Sequence, residues 1–224
     1  MTTFLLAFTA LFSIVNPLTG AFIFFGATHE LSPRERVSAA RWVAVYAAVL
    51  VAASLYVGAY VLGFFGITLP ALQVAGGIII SLSGWGMLTG PDTTDRRRNE
   101  ASGGIPSHHI ISRLSFYPLT MPLTVGPGTI SVAISVGANR PNGVTADALA
   151  FIIETMLAVL ALGACVYIAY RHSEWLARAM GPTGTAIVVR LSAFLLFCIG
   201  IQIGWNGLYQ LLGTLPFAVP TTLP

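Results

Sequence analysis

The longest uncharged run of the chain covers fifty residues, from Trp42 to Pro91. As a single helix this run would be about 75 Å long, more than twice the hydrocarbon thickness of a bilayer, which is about 30 Å. It therefore predicts two membrane-crossing helices, separated by glycine and proline breakers in the turn GFFGITLP at residues 63–70. A buried helical core of a soluble protein would need polar faces that this run lacks.

Four further stretches have the length and low charge of membrane-spanning helices. They are residues 1–28, 114–139, 148–170 and 186–212. Only 8% of the 224 residues are charged, whereas soluble proteins have about 25%, so this chain has too little charge to cover a soluble surface. We therefore predict an all-α polytopic membrane protein with six transmembrane helices. The first stretch has no basic residues ahead of it and is interpreted as a retained span, not as a signal peptide.

The arginines predict how the chain is oriented in the membrane. All eleven basic residues are arginine, and nine of them lie in the loops that follow spans one, three and five. Cytoplasmic loops are enriched in basic residues, so these loops should face inward and both termini outward, on the periplasmic or extracellular side. We expect a prokaryotic inner (plasma) membrane, with both termini periplasmic. The nine are Arg34, Arg36, Arg41, Arg96, Arg97, Arg98, Arg113, Arg171 and Arg178.

Spans one and four each contain a break near the middle. Span one carries Asn16-Pro17, and span four carries Gly126-Pro127-Gly128. Proline removes a backbone donor and clashes with the preceding turn, and Asn or Gly followed by Pro is favoured where a helix begins. We therefore predict half-helices that begin in the middle of the membrane, where their free N–H groups suit a carboxylate. Simple kinks are the alternative, but two breaks at matching depth favour a binding site.

The six spans form two groups of three with corresponding features. The two breaks lie 110 positions apart, and Gly66 and Gly181, each just before the third span of its group, lie 115 positions apart. Because each group has three spans, the second copy must be inverted in the membrane. We predict one membrane domain that comprises a first three-helix repeat (1–90), a cytoplasmic linker (91–115), an inverted three-helix repeat (116–212) and a short outward-facing tail (213–224).

Several stretches of the chain carry a family resemblance. They are NPL (16–18), ER (35–36), FGITLPALQVAGGI (65–78), GML (86–88), PLTMPLTVGPGTI (118–130), RLSAFLLFCIGIQ (190–202) and NG (206–207). In these stretches the chain resembles the MarC family of membrane proteins over nearly its full length. The resemblance implies a six-span inverted-repeat fold and a transport role, because related members of the SnatA type look like transporters of small neutral amino acids such as glycine and alanine.

The candidate substrate-binding residues lie at the two breaks and in span six. They are Asn16, Pro17, Leu18, Thr19, Gly20, Thr124, Gly126, Pro127, Gly128, Thr129, Arg190 and Gln202. Gln73, Gly76, Gly77 and Asn206 are candidates for the lining of the same cavity. Arg190 could instead extend to the membrane interface. Gln202, Asn206 and Gln210 recur every four residues, so they share one helical face, which should point into the bundle.

Glu154 is the only acidic residue inside a predicted span. An intramembrane carboxylate is a candidate proton-coupling group, and the alternative is an acid near the outer mouth that is solvated or hydrogen-bonded to a neighbour. No family motif matches Glu154. Elsewhere in the spans, glycine pairs at four-residue spacing predict close helix approach. These pairs are Gly86/Gly90 and Gly200/Gly204.

The predicted function is secondary transport of a small polar solute by alternating access around the two breaks. The alternatives are a channel for small solutes and a non-transporting assembly or regulatory subunit. An enzyme is disfavoured because no span contains histidine. All four histidines lie in loops, so neither a metal nor another cofactor is expected. The expected partners are the lipid bilayer and a small-molecule substrate, without nucleic acid, and a homo-oligomer is left open.

Overall fold

A computed structural model describes residues 2–28, 31–89, 119–121, 124–141 and 145–213, and the regular elements among them are all helices. The helices are α1 (Thr2–Val15), α2 (Pro17–Ala27), α3 (Pro33–Phe64), α4 (Leu69–Thr89), α5 (Pro127–Ala138), α6 (Ala146–Arg171) and α7 (Ser173–Gly213). The predicted all-α class is confirmed. The predicted linker at 91–115 and the tail beyond residue 213 lie outside the described residues.

Five helical stretches are long and apolar enough to cross a membrane. They are α1 with α2, then α3, α4, α6 and α7. Helix α5 is a shorter apolar helix of 12 residues, and most of the first half of predicted span four lies outside the described residues. Length and composition therefore support a multi-pass membrane protein.

Polar side chains mark where two of the long helices begin. At the start of α3, the Ser32 Oγ accepts from the Glu35 N–H, and the Glu35 carboxylate accepts from the Ser32 N–H at 2.9 Å. At the start of α6, the Thr145 Oγ1 accepts from the Ala148 N–H at 3.2 Å. These caps satisfy first-turn donors that the helix itself leaves without acceptors.

Helix α7 is kinked at Gly181, which has φ 66° and ψ 178° and is followed by Pro182. Glycine adopts positive φ without steric penalty, and proline is favoured in the first position of a helix. Residues 173–180 therefore form a separate short helix, and the long part of α7 begins at Pro182. The predicted start of span six at residue 186 was four residues late, because the apolar pattern begins after the helix does.

Helices α4 and α7 pack backbone against backbone through glycines. An added Cβ at Gly77 would lie 2.6 Å from the Gly200 carbonyl oxygen and 2.6 Å from the Gly204 Cα. The predicted packing role of Gly200 and Gly204 is thereby confirmed. Gly86 instead faces open space among the described residues, so the expected contact at Gly86 is not found there, and Gly90 lies outside them.

The polar face of α7 does not point into the bundle, so that prediction was wrong. Gln202, Asn206 and Gln210 are all exposed. Their amides pair instead, from Gln202 Nε2 to Asn206 Oδ1 at 3.0 Å and from Gln210 Nε2 to Gln73 Oε1 at 3.2 Å. The physical reason is the glycine edge of α7, which allows the backbone of α4 to approach and leaves the amides at the exposed rim of that contact.

Candidate functional site

The first helix break is held by Asn16. Asn16 has φ 45° and is the one residue other than glycine with positive φ in the described part of the chain. Its N–H donates to the Phe12 carbonyl at 2.9 Å, which ends α1, and its side-chain Oδ1 accepts from the Thr19 N–H at 3.4 Å, which caps α2. Asparagine tolerates this left-handed conformation better than most residues. The predicted N-cap at Asn16 and first helical position at Pro17 are confirmed.

The second break is held by Gly126, in extended backbone with φ −89° and ψ 176°. Pro127 begins α5, as predicted, and no side chain caps the helix. The chain approaches this break through a wide turn, in which the Val125 N–H donates to the Thr120 carbonyl at 2.8 Å. The Thr124 Oγ1 donates to the Leu119 carbonyl at 2.9 Å in the same turn.

Several polar groups at the breaks lack partners within the described residues. At α2, the Leu18 N–H has no acceptor there, and the Thr19 Oγ1 is buried without a hydrogen-bond partner. At α5, the N–H groups of Gly128 and Thr129, two buried residues, also have no acceptor there. Unpaired polar groups in an apolar environment are unfavourable, so these groups favour a polar ligand.

Tyr170, near the end of α6, contacts both broken regions. Its ring is fully buried and stacks on Phe24 of α2 with 4.7 Å between ring centroids. Its hydroxyl is 2.8 Å from the Thr124 Oγ1, and an added Cβ at Gly20 would overlap the same hydroxyl. Sequence reasoning missed Tyr170, because a tyrosine in the last turn of a span has the pattern of an ordinary interfacial aromatic residue.

The predicted cavity-lining residues of α4 divide between two contacts. Gly76 lies against Ser131 of α5, whose Oγ donates to the Leu72 carbonyl at 3.1 Å, and Ile80 lies against Gly128. This side of α4 therefore borders the second break. Gly77 points to the backbone of α7 instead, so its predicted place in a cavity lining is not observed.

The remaining predicted site residues lie away from these contacts. Gln73 and Asn206 belong to the amide pairs near the end of α7, as does Gln202. Arg190 is exposed, about two turns after Pro182, and its predicted role remains a prediction.

Glu154 bonds to the start of α1. Its Oε2 accepts from the Phe4 N–H at 2.9 Å, so it supplies a helix cap from a different helix. This geometry matches the alternative of an acid that is hydrogen-bonded to a neighbour. Proton coupling by Glu154 stays an untested prediction.

Replacing Glu154 should separate these two roles. Glu154→Gln keeps an oxygen acceptor for the Phe4 N–H, whereas Glu154→Leu removes it. Because an unsatisfied helix-end donor destabilises the fold, we expect the leucine variant to unfold several degrees lower and the glutamine variant to stay close to the parent. Thermal unfolding in detergent measures the difference. Equal midpoints for both variants would contradict the capping role.

Arg36, one of the nine loop arginines that predict the orientation of the chain, is buried, with 7% of its surface exposed. Its Nη1 donates to Glu174 Oε2 at 2.6 Å, and its Nη2 donates to the carbonyls of Thr28 and Leu31 at 3.3 Å. Its guanidinium also lies 5.1 Å from the ring centre of Phe25. Glu174 is the one acidic residue in the loop after span five, but its position in the sequence does not indicate that it pairs with Arg36.

Comparisons with known proteins identify a family of integral membrane proteins. The family model described as MarC family integral membrane protein matches residues 1–212. The chain is 31% identical over 216 residues to the inner membrane protein MarC of Citrobacter koseri, covering 93% of this chain and 95% of that protein. With the same coverage, it is 31% identical over 215 residues to the Escherichia coli protein of that name and 29% over 211 residues to that of Salmonella paratyphi A. No solved structure matches the chain significantly.

Proposed function

The chain belongs to the MarC family of integral membrane proteins, and from this premise we propose that it is a secondary transporter of a small polar solute. Small neutral amino acids such as glycine and alanine are the substrates that the site favours. The observation that carries the proposal is the pair of half-helices that begin inside apolar spans, each with first-turn N–H groups that have no acceptor among the described residues.

A substrate carboxylate fits the first turn of α2. The Leu18 N–H and the buried Thr19 hydroxyl are two donors within consecutive residues, at the positive end of the helix dipole. The N–H groups of Gly128 and Thr129 offer a second set of donors at α5. Ile80 packs against Gly128 and Ser131 packs against Gly76, so these contacts leave little space beside the second break, which favours small substrates.

Alternating access between two inverted repeats is the mechanism we infer. Corresponding features recur at nearly constant spacing in the two halves. The helix caps Asn16 and Gly126 lie 110 positions apart, Ser32 and Thr145 lie 113 apart, and the positive-φ glycines Gly66 and Gly181 lie 115 apart. Two such repeats can rock around a fixed central site.

An ion gradient or substrate exchange would drive this transport. The chain contains no lysine, so it lacks the lysine-containing phosphate loop that most ATP-driven pumps use. We propose that the protein is not an enzyme. The arginine-rich loops would face the cytoplasm, with both termini in the periplasm, since nine of eleven arginines lie in those loops.

Uptake of labelled glycine and alanine into proteoliposomes tests the proposal. We expect saturable uptake. Thr19→Val should raise the apparent dissociation constant for the substrate at least about tenfold, because a hydrogen bond to a charged group contributes about 1.5–3 kcal/mol. Thr9→Val is the matched control, since among the described residues the exposed Thr9 hydroxyl bonds only to carbonyls of its own helix.

Three outcomes would count against parts of this proposal. If no small neutral amino acid shows saturable uptake or exchange, with or without sodium and pH gradients, the substrate class is wrong. Flux that never saturates would instead favour a channel. Equal apparent dissociation constants for Thr19→Val and Thr9→Val would show that the Thr19 hydroxyl does not contact the substrate.

A further inference from the structure

The end of the bundle where α2 and α6 finish carries two successive layers of contact between the halves of the chain. Gly20 and Phe24 lie four residues apart on one face of α2, and Thr28, the C-cap residue of α2, follows four residues later. Tyr170 and Glu174 also lie four residues apart, where α6 meets α7. Tyr170 contacts Gly20 and Phe24, and Glu174 reaches Thr28 through Arg36.

The layer nearer the breaks is aromatic. The Tyr170 hydroxyl lies 2.8 Å from the Thr124 Oγ1, two residues before Gly126, and it abuts Gly20, four residues after Asn16. Its ring is fully buried against Phe24. One phenol therefore fills the space between the two broken helices on this side.

The outer layer is an ion pair. The Arg36 guanidinium donates to the carbonyls of Thr28 and Leu31, just after the end of α2. Its Nη1 also donates to the Glu174 Oε2 at 2.6 Å. The Glu174 side chain is 34% exposed, so this layer lies at the surface of the bundle at that end. Arg178 also bonds to Glu174, from a side chain that is 77% exposed.

We propose that these two layers form a closure, and that separation of Arg36 from Glu174 is required to open a path from the breaks to the water at this end. We call Gly20, Phe24, Arg36, Thr124, Tyr170 and Glu174 the arginine-end closure. The proposal rests on the proposed transport function for its purpose, but its geometry does not depend on any substrate.

The composition of the closure supports this role. Gly20, Phe24 and Arg36 belong to the first half of the chain, whereas Thr124, Tyr170 and Glu174 belong to the second. The contacts of Tyr170 with Gly20 and Phe24 and the Arg36–Glu174 ion pair therefore join the two halves, and any rocking of one half against the other must change them. An ion pair with one partly exposed member can separate more readily than a dry apolar contact, because water can solvate the released carboxylate.

Accessibility of a buried cysteine tests the closure. Val125 is fully buried beside the second break, and the two natural cysteines, Cys165 and Cys198, are free and can be replaced by alanine. A Val125→Cys reporter in that background is labelled with a membrane-impermeant maleimide, in inverted and in right-side-out membrane vesicles. No substrate is added, so a failure of amino acid uptake and a failure of the closure are distinguishable.

We expect slow labelling in the parent. Labelling of Glu174→Gln should be about tenfold faster, in inverted vesicles only. This factor corresponds to a decrease of about 1.4 kcal/mol in the free energy that keeps the closure shut. Arg178→Gln is the matched control, because it removes the exposed partner of the same carboxylate. Its labelling rate should stay within about twofold of the parental rate.

Arg36→Lys provides an independent variant, since lysine keeps the charge but lacks the fork that bonds to Thr28 and Leu31. It should raise the labelling rate by a smaller factor than Glu174→Gln does. A folded Glu174→Gln or Arg36→Lys protein that is labelled at the parental rate overturns the proposal. Arg178→Gln labelling as fast as Glu174→Gln labelling overturns it as well.

Discussion

Gly77→Ala is expected to lower the free energy of unfolding by about 2 kcal/mol or more. The added methyl group would lie 2.6 Å from both the Gly200 carbonyl oxygen and the Gly204 Cα, and both atoms belong to the backbone of α7. No rotamer change can relieve such an overlap, so α4 and α7 must move apart along their whole contact. Lost contacts elsewhere along these two helices add to the direct clash.

The matched control is Gly86→Ala on the same helix. Gly86 has no atom within 4 Å of an added Cβ among the described residues, and alanine has the higher helix propensity by about 1 kcal/mol, so this variant should be neutral or slightly stabilised. Unfolding by denaturant in mixed micelles, followed by tryptophan fluorescence, compares the two. If both variants have the parental stability, the close approach of α4 and α7 is wrong.

The two helix breaks could be predicted because their causes are local. Asn16-Pro17 and Gly126-Pro127 contain within two residues the cap and the first helical position that end one helix and begin another. The turn at Gly181-Pro182 is also local, with a positive φ and a proline together, although the predicted start of span six at residue 186 missed it. Such features require no knowledge of what the helix packs against.

Contacts between residues that are far apart in the sequence could not be predicted in this way. Thr124 and Tyr170 are 46 residues apart, and Arg36 and Glu174 are 138 residues apart. Their sequence neighbourhoods fit ordinary interfacial residues of a membrane protein, an aromatic ring near a span end and an arginine in a loop. Only the three-dimensional arrangement brings them together, so the spacing of polar residues gave no signal.

The misplacement of the amide face of α7 has a related cause. Four-residue spacing placed Gln202, Asn206 and Gln210 on one face, which is correct, but the spacing alone does not say which face is buried. The polarity of these residues suggested that their face points inward. The packed face is instead the one that carries the glycines at 200, 204 and 207, because glycine lets the backbones of α4 and α7 approach. In a lipid-solvated helix, small residues therefore indicate the packed face more reliably than polar ones do.

Arg36→Met should be the most damaging single change outside the glycine contacts, at about 3 kcal/mol of lost stability. Methionine has a similar length but leaves the Glu174 carboxylate without its buried partner and the Thr28 and Leu31 carbonyls without their donor. The expected loss of stability lies at the lower end of the range for a broken buried ion pair, because the Glu174 side chain is 34% exposed and still bonds to Arg178.

Two further variants identify the cause of that loss. Arg178→Met removes the exposed partner of the same carboxylate and should change stability by less than about 1 kcal/mol. Arg36→Met combined with Glu174→Met leaves no uncompensated carboxylate, so part of the lost stability should return. Denaturant unfolding of the four proteins (parent, both single arginine variants and the double variant) measures these differences. A double variant that is less stable than Arg36→Met alone would show that the stranded Glu174 charge is not the source of the loss, since removing that charge would then have brought no recovery.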